Sequence, residues 1–213
     1  MRVPRLLDAI EIRLLGCLLE KQQLTPDAYP LTLNQLLAAS NQTSSREPVM
    51  SLSAADVRAA LERLREHALV WRSVGPRVER WEHSLDRRWE LDGARQAVLA
   101  VLLLRGPQTA GELRARCERL RSFTTTAEVE DVLRGLSTGE EPLVARLPRQ
   151  DGQREARWTH LVGEPPAPGP LAADIPLDPD GSLEGRLAAL ERRVAALERV
   201  VAARCAGPPA ESD

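Results

Sequence analysis

LTLNQLLAASNQTSSREPVMSLSAADVRAALERLREHALVWRSVGPRVERWEHS, residues 31–84, contains two helix starts followed by a strand pair. Thr32 precedes an apolar run and has Gln35 three residues on, and Ser53 stands in the same relation to Asp56. Such pairs are typical of helix N-termini, because each side chain satisfies a backbone N–H of the other residue. LVWRSV and VERWEHS then alternate apolar and polar residues around Gly-Pro, as in a half-buried hairpin. With a helix before it, this order is that of a winged helix-turn-helix.

The same plan occurs twice in the chain. The helix starts are Asp8, Thr32 and Ser53 in the first copy and Asp92, Thr109 and Thr125 in the second. Acids three residues on predict further capping boxes at Asp8, Thr109 and Thr125. The second copy ends in LVARL and REARWTHLV, another candidate hairpin. The fold class predicted is mainly α with small β wings: two tandem winged helix-turn-helix domains, residues 1–88 and 89–163, plus a C-terminal coiled-coil helix.

The C-terminal part predicts a linker and a dimer element. Residues 164–182 hold six prolines and are expected to be a semi-rigid spacer. Residues 183–205 follow with a heptad pattern that favours a short parallel coiled coil and a homodimer. The seam is formed by Leu183, Leu187, Leu190, Val194, Leu197 and Val201. The alternative is a helix that folds back on its own chain.

Charge and composition exclude several classes. The net charge is −2, with 13 basic and 11 acidic groups in residues 1–88 and 11 of each in 89–163, so no strong basic field is expected. No apolar run is long enough to cross a membrane and no secretory leader is recognisable, which predicts a cytoplasmic protein without membrane contact. The three cysteines are far apart and no Cys/His spacing fits a metal, so we expect neither metal nor cofactor.

The first copy is longer than the second at two places. The offset between matching helix starts falls from 84 to 77 to 72 residues. The first copy therefore has about seven extra residues at QLTPDAYP and about five at NQTSSREPVM. Ordinary drift in loop length and a purpose-built surface both explain these additions.

The stretch GCLLEKQQLTPDAYPLTLNQLLAASNQTSSREPVMSLS, together with LLLRGPQTAGELRAR, resembles the YceH-like family of bacterial proteins. The residues that carry the resemblance are Glu20, Lys21, Tyr29, Asn41, Gln42, Arg46, Glu47 and Pro48. The resemblance implies two winged-helix units, often with a C-terminal coiled coil, over about residues 5–163. It implies DNA binding only by analogy, and no catalytic role for these residues.

DNA binding is the leading functional prediction. In such folds the third helix enters the major groove and the wing contacts the backbone. The candidate residues of the first unit are Arg58, Arg63 and Arg65 on the helix and Arg72, Arg77 and Arg80 on the wing. The third helix of the second unit carries Glu128, Glu130 and Asp131 against Arg134, which disfavours groove contact. We therefore expect the first unit to be the reader of double-stranded DNA, and the second to hold backbone or another protein.

A protein-interaction scaffold is the alternative. Near-neutral charge and the acidic third helix of the second unit favour an adaptor without direct DNA readout. The docking surface would then be the second unit or the two extra loops, with Arg46 and Glu47 as charged contacts beside Tyr29. The three histidines have no spacing of a triad or metal site, so the protein is not expected to be an enzyme.

Overall fold

The computed structural model describes residues 6–74, 78–149 and 154–163. We call residues 6–88 the first half and residues 89–163 the second half. The first half contains α1 Ala9–Leu24, β1 Leu31–Thr32, α2 Leu33–Ser40, α3 Ala54–Glu66, β2 Val70–Val74, β3 Glu79–His83 and α4 Leu85–Arg88. The second half contains α5 Gly93–Arg105, α6 Ala110–Cys117, α7 Thr126–Leu136, β4 Val144–Arg146 and β5 Trp158–His160. A mainly helical chain with small antiparallel sheets is confirmed.

The helices begin where the capping residues predict. Asp8, Thr32, Ser53 and Thr109 each form a complete capping box with the side chain three residues on. Thr125 is different: its hydroxyl accepts the Glu128 N–H, but the Glu128 carboxylate accepts the N–H of Thr124 instead. The capping box predicted at Thr125 is therefore only half formed. Asp92 accepts the N–H of Arg95 in the same one-sided way.

Each half contains one small antiparallel sheet. In the first half, β3 lies between β1 and β2, with Leu31 opposite Trp81 and Val70 opposite His83. In the second half, β4 pairs with β5 and Val144 lies opposite His160. Alternation of side chains along β3 turns Trp81 into the core, where it is 1% exposed.

One continuous apolar core joins the two halves. Its buried members run from Leu14 on α1 through Leu61 on α3 to Leu102 on α5 and Leu133 on α7. The α1 and α5 helices pack closely: a Cβ at Gly16 would lie 2.9 Å from side-chain atoms of Leu104. A backbone hydrogen bond also joins the two halves, since the N–H of Leu7 donates to Val162 O.

The boundary at residue 88 therefore lies within one core, and the division into two domains stays a prediction. The linker 164–182 and the coiled-coil seam Leu183–Val201 lie outside the described residues. In the parts of the chain that are described, no helix has the length and apolar character needed to cross a membrane.

Candidate functional site

The loop between α2 and α3 is held by a buried ion pair. Arg46 and Glu20 are 5% and 8% exposed, and the guanidinium donates to both carboxylate oxygens at 3.1 and 2.6 Å. It also donates to Ala39 O and to the side-chain oxygen of Gln42. The prediction of Arg46 as a charged docking contact was wrong, because its guanidinium is buried. The hydrogen bonds of that group fix the loop to α1 and α2.

The electrostatics of this pair favour the charged forms. Burial acts to raise the pKa of Glu20, but the hydrogen bonds and positive charge of Arg46 outweigh it and hold that pKa below its ordinary value. Burial likewise acts to lower the pKa of Arg46, and the Glu20 carboxylate reverses the direction. Lys21, half-buried, lies 3.2 Å from the same carboxylate and adds to its neutralisation.

The other residues of the family motif are also bound within the protein. Asn41 clamps the end of the loop, donating to Leu52 O and accepting the N–H of Leu52. The N–H of Glu47 donates to Leu104 O, and Pro48 O accepts from Arg13. The exposed Glu47 side chain is the charged group of this loop that keeps contact with solvent.

Tyr29 lies in the first extra loop and contacts the strand pair β2–β3, which we call the first wing. Its hydroxyl accepts the backbone N–H of His83 at 2.8 Å, and burial raises the pKa of the phenol. The ring packs at a tilt against the His83 imidazole. Its recorded contacts are with β3, so it acts as a brace between the first extra loop and the wing.

The six arginines predicted to contact DNA have different positions. Arg63 donates to Glu11 at 3.0 Å and to Asp8 at 2.6 Å, so it ties α3 to the start of α1. Arg80 donates to Pro30 O at 2.7 Å. Arg77 lies outside the described residues. The guanidinium groups of Arg63 and Arg80 already donate hydrogen bonds within the protein, so neither is freely available to a phosphate.

The remaining three form an alternating chain of charge across the surface of α3 and the first wing. Arg58 lies 3.7 Å from Glu79, Arg72 lies 3.2 Å from Glu79 and 3.6 Å from Glu62, and Arg65 lies 2.7 Å from Glu62. Three arginines and two glutamates leave a net charge of +1. Arg72 also stacks over Trp81 at 5.9 Å from the ring centroid. The chain is solvent-exposed, so each pair contributes about 0–1 kcal/mol.

The second half distributes its charge in another way. On α7 the exposed residues Glu128, Glu130 and Asp131 face solvent, and Arg134 pairs with Asp131 at 3.1 Å. Arg157 is held by Glu112 at 2.9 Å and by Pro107 O. The helix that would enter a groove is therefore acidic, as the sequence predicted.

Three arginines of the second wing, which is the strand pair β4–β5 with its described flanking residues, have no acidic partner among the described residues. Arg146, Arg149 and Arg154 are exposed, and no hydrogen bond or ion pair to their guanidinium groups is recorded in the described part of the chain. They line an open depression of about 560 Å³ together with half-buried Trp158. Ala110 and Thr126, the first residues of α6 and α7, also line it. Glu130 and Glu155 line it as well.

Charges counted in the sequence do not separate this cluster from the first wing. Residues 142–150, PLVARLPRQ, contain no Asp or Glu, but Asp151 and Glu155 follow them, just as Glu79 and Glu82 follow LVWRSV in the first wing. A count of arginines alone does not distinguish the wings, because the partners decide which guanidinium groups remain available.

The described residues contain no group of three or more metal-ligating side chains that could hold an ion. Cys17 and Cys117 are buried thiols, and burial raises the pKa of Cys117 to about 12. Thiols with raised pKa values are poor nucleophiles, since the thiolate is the reactive form.

The helix order, the capped starts and the small antiparallel sheets define a mainly helical protein whose polar contacts concentrate at the α2–α3 loop and the two strand pairs. The chain belongs to the family described as "Protein of unknown function, DUF480", whose model matches residues 7–153. A UPF0502 protein of Chromobacterium violaceum is 53% identical over 187 residues, covering 86% of this chain and 84% of that protein.

Other bacterial relatives agree. A UPF0502 protein of Mesorhizobium japonicum is 47% identical over 187 residues, covering 87% of this chain and 90% of its own length. A third, from Geobacter metallireducens, is 53% identical over 165 residues, covering 76% and 75%. The DUF480/UPF0502 family is thereby shown. The YceH-like label is not tested by these matches and stays a prediction.

Proposed function

We propose that this protein binds double-stranded DNA without catalysis, and that the second wing supplies its phosphate contacts. The observation that carries the proposal is the set of three exposed arginines, Arg146, Arg149 and Arg154, for which no partner is recorded within the described chain. An unpaired guanidinium can form a bidentate bond with a phosphate without first losing a carboxylate.

The shape of the second wing supports a backbone contact rather than base reading. The depression beside the three arginines is open, so their exposed guanidinium groups are accessible to phosphate oxygens; Glu130 and Glu155 also line it. The acidic surface of α7 opposes entry of that helix into a groove. Backbone contacts fix register and orientation and carry no sequence information.

The first half supports a weaker role in the same binding. The exposed chain from Arg58 to Arg65 has a net charge of +1, and its surface pairs are inexpensive to exchange for phosphate. The prediction that the first half is the reader therefore stays open, as does a homodimer built by residues 183–205. A dimer would double the number of arginine clusters that face one duplex.

A salt titration tests the proposal. Binding of the full-length chain to a fluorescently labelled 20-base-pair duplex is measured by polarisation between 50 and 200 mM salt. Three phosphate contacts predict a slope of roughly −2.7 in log affinity against log salt, which is roughly a 40-fold loss across this range.

Two variants of equal charge change serve as a matched pair. Arg146→Gln with Arg149→Gln and Arg154→Gln should remove most of the slope. Arg58→Gln with Arg65→Gln and Arg72→Gln removes the same charge from the first half and should leave most of it. The reverse result would move the DNA contact to the first half. Absence of duplex binding at 50 mM salt would overturn DNA binding altogether.

A second candidate function, a protein-binding adaptor, is favoured by apolar exposure on the first wing. Trp71 and Val74 on β2 are 57% and 74% exposed, and β2 has one pairing strand, β3, among the described residues. Large apolar side chains on an edge strand are typical of interaction surfaces. A photo-crosslinking residue at position 71 should then capture one discrete partner in cells, and the same residue at exposed Glu66 should not.

A further inference from the structure

The strand pairs of the two halves can be matched residue by residue. Trp81 of β3 lies opposite Arg72 of β2, and on its other side it pairs with the residue directly before the N-cap of α2. Trp158 of β5 lies opposite Arg146 of β4, and on its other side it pairs with the residue directly before the N-cap of α6. The backbone pairing therefore makes Trp81 equivalent to Trp158 and Arg72 equivalent to Arg146.

In the first half, a carboxylate of the chain itself lies beside this arginine. Glu79 stands two residues before Trp81 and so projects from the same side of β3. Its carboxylate oxygens lie 3.2 Å from the guanidinium of Arg72 and 3.7 Å from that of Arg58 on α3. Arg72 lies over the ring of Trp81. The first wing thus carries its own anion between two arginines.

The second half repeats the backbone but lacks this carboxylate. Ala156 stands two residues before Trp158, where the first half has Glu79. On α7, Glu130 stands five residues after the N-cap, as Arg58 does on α3. The internal anion of the first wing is therefore replaced by a methyl group in the second.

The open depression of the second wing lies at this matched position. It has a volume of about 560 Å³, and its lining includes Arg146, Ala156, Trp158 and Glu130. The side chain of Arg146 is exposed, and no ion pair of its guanidinium is recorded among the residues that the structure describes. The volume falls within the ~300–1,000 Å³ that is typical of sites for small organic ligands.

The chemistry of the lining favours a phosphate that carries a sugar. Three arginines and two glutamates line the depression, which leaves a net charge of +1. Glu130 repels an anion on the α7 side, so a phosphate is favoured on the strand side, next to Arg146. A guanidinium binds phosphate oxygens in a bidentate manner, and the ring of Trp158 offers an apolar surface for a sugar. A single carboxylate side chain would leave most of the volume unfilled.

We propose that the depression binds the phosphate and sugar of one nucleotide, with the phosphate on Arg146 at the place that Glu79 occupies in the first half. The sugar packs against Trp158, and Ala156 keeps the position open because its side chain is short. This proposal deepens the proposed function and rests on the same second-wing arginines. A DNA backbone and a free nucleoside monophosphate offer the same chemistry, and the experiments below separate them.

Duplex binding of a variant that imitates the first wing tests the position. Ala156→Glu adds a carboxylate where Glu79 stands and leaves all three arginines in place. It should weaken binding of the labelled duplex at low salt by about tenfold or more, because Arg146 then pairs within the chain. Ala156→Gln adds similar bulk without the charge and should cause a clearly smaller loss. Ala115→Glu adds the same charge at an exposed position of α6 outside the depression and should keep most of the affinity.

A free nucleotide tests the same position without a duplex. Deoxythymidine monophosphate is titrated into isotope-labelled full-length protein, and the indole N–H resonance of Trp158 is followed by NMR after assignment with Trp158→Phe. The resonance should shift with saturation at millimolar nucleotide, and deoxythymidine, which has no phosphate, should not shift it. Arg146→Gln and Ala156→Glu should each remove the shift, so the test does not depend on the folding of one variant.

The outcomes separate this proposal from the proposed function. If duplex binding survives Ala156→Glu but is lost when the three arginines are replaced, the phosphate lies outside the depression, and this proposal is overturned while DNA binding stands. A saturable shift of Trp158 that Ala156→Glu removes, without any duplex binding, would support the depression as a site for free nucleotides and overturn DNA binding. Absence of both the shift and duplex binding would overturn both proposals.

Discussion

The first and second halves repeat one order of helices and strands, yet their arginines are used differently. In the first half, Arg63 joins α3 to α1 and Arg72 lies between two glutamates. In the second half, Arg149 and Arg154 extend from the wing with no recorded partner in the described chain. A shared backbone plan therefore leaves the available charge undetermined, and the positions of the acids decide which wing can bind an anion.

The largest effect is expected on replacing one member of the buried ion pair Arg46–Glu20 in the first half. Arg46→Met should lower the free energy of unfolding by about 3–5 kcal/mol, because it leaves Glu20 buried without its partner. Urea denaturation measures the change. Arg149→Gln in the second half should alter stability by less than about 0.5 kcal/mol. Similar losses in the two variants would contradict the contrast between structural and available arginines.

The shared core predicts that the halves unfold together. Leu104 is 3% exposed and packs beside Gly16 of α1. Leu104→Ala should cost about 2–5 kcal/mol, since it removes buried methyl groups and leaves a cavity. Amide hydrogen exchange should then show equal loss of protection in α3 and in α7. Loss confined to α7 would mean that the first half is an independent folding unit.

Each half also contains one buried histidine, which makes pH a further test. Burial lowers the pKa of His83 and that of His160 to about 4. The unfolded chain takes up these protons near pH 6.5, whereas the folded chain does not until about pH 4. The contribution of the two neutral histidines to the free energy of unfolding is therefore fully present above pH 6.5 and is lost as the pH falls toward 4.

At pH 5 each histidine should reduce the free energy of unfolding by about 2 kcal/mol relative to pH 7. Urea denaturation of His83→Gln and His160→Gln at the two pH values measures each share. Each variant should lose less stability on acidification than the wild type. If both variants follow the wild-type pH dependence, neither imidazole has a lowered pKa in the folded protein.

The elements of the fold could be predicted because capping and periodicity are local properties. Asp8 and Thr109 mark helix starts through neighbours three residues away, and the alternating pattern around Trp81 marks a strand. The packing of α1 against α5 could not be predicted in this way. Gly16 and Leu104 are 88 residues apart in the sequence, and no local pattern indicates that they are in contact.

The candidate site was harder to predict because exposure depends on tertiary partners. Arg46 and Glu20 are 26 residues apart and form a buried pair, although charged residues in a loop are usually exposed. The sequence contains four arginines on the second wing, Arg146, Arg149, Arg154 and Arg157, but does not show which of them has an acidic partner. The structure shows that Arg157 is paired with Glu112, whereas the other three are exposed.

The smallest change in stability is expected on replacing the N-cap residue of the third helix in each half, Ser53 or Thr125. Ser53 accepts the Asp56 N–H and its own N–H donates to the Asp56 carboxylate, whereas at Thr125 the return bond goes to Thr124. Ser53→Ala should cost about 1 kcal/mol, typical of a helix N-cap. Thr125→Ala should cost a few tenths less, because its box is incomplete. Paired urea denaturation curves measure the difference, and a larger loss at Thr125 would show that the cap of α7 depends on the hydroxyl alone.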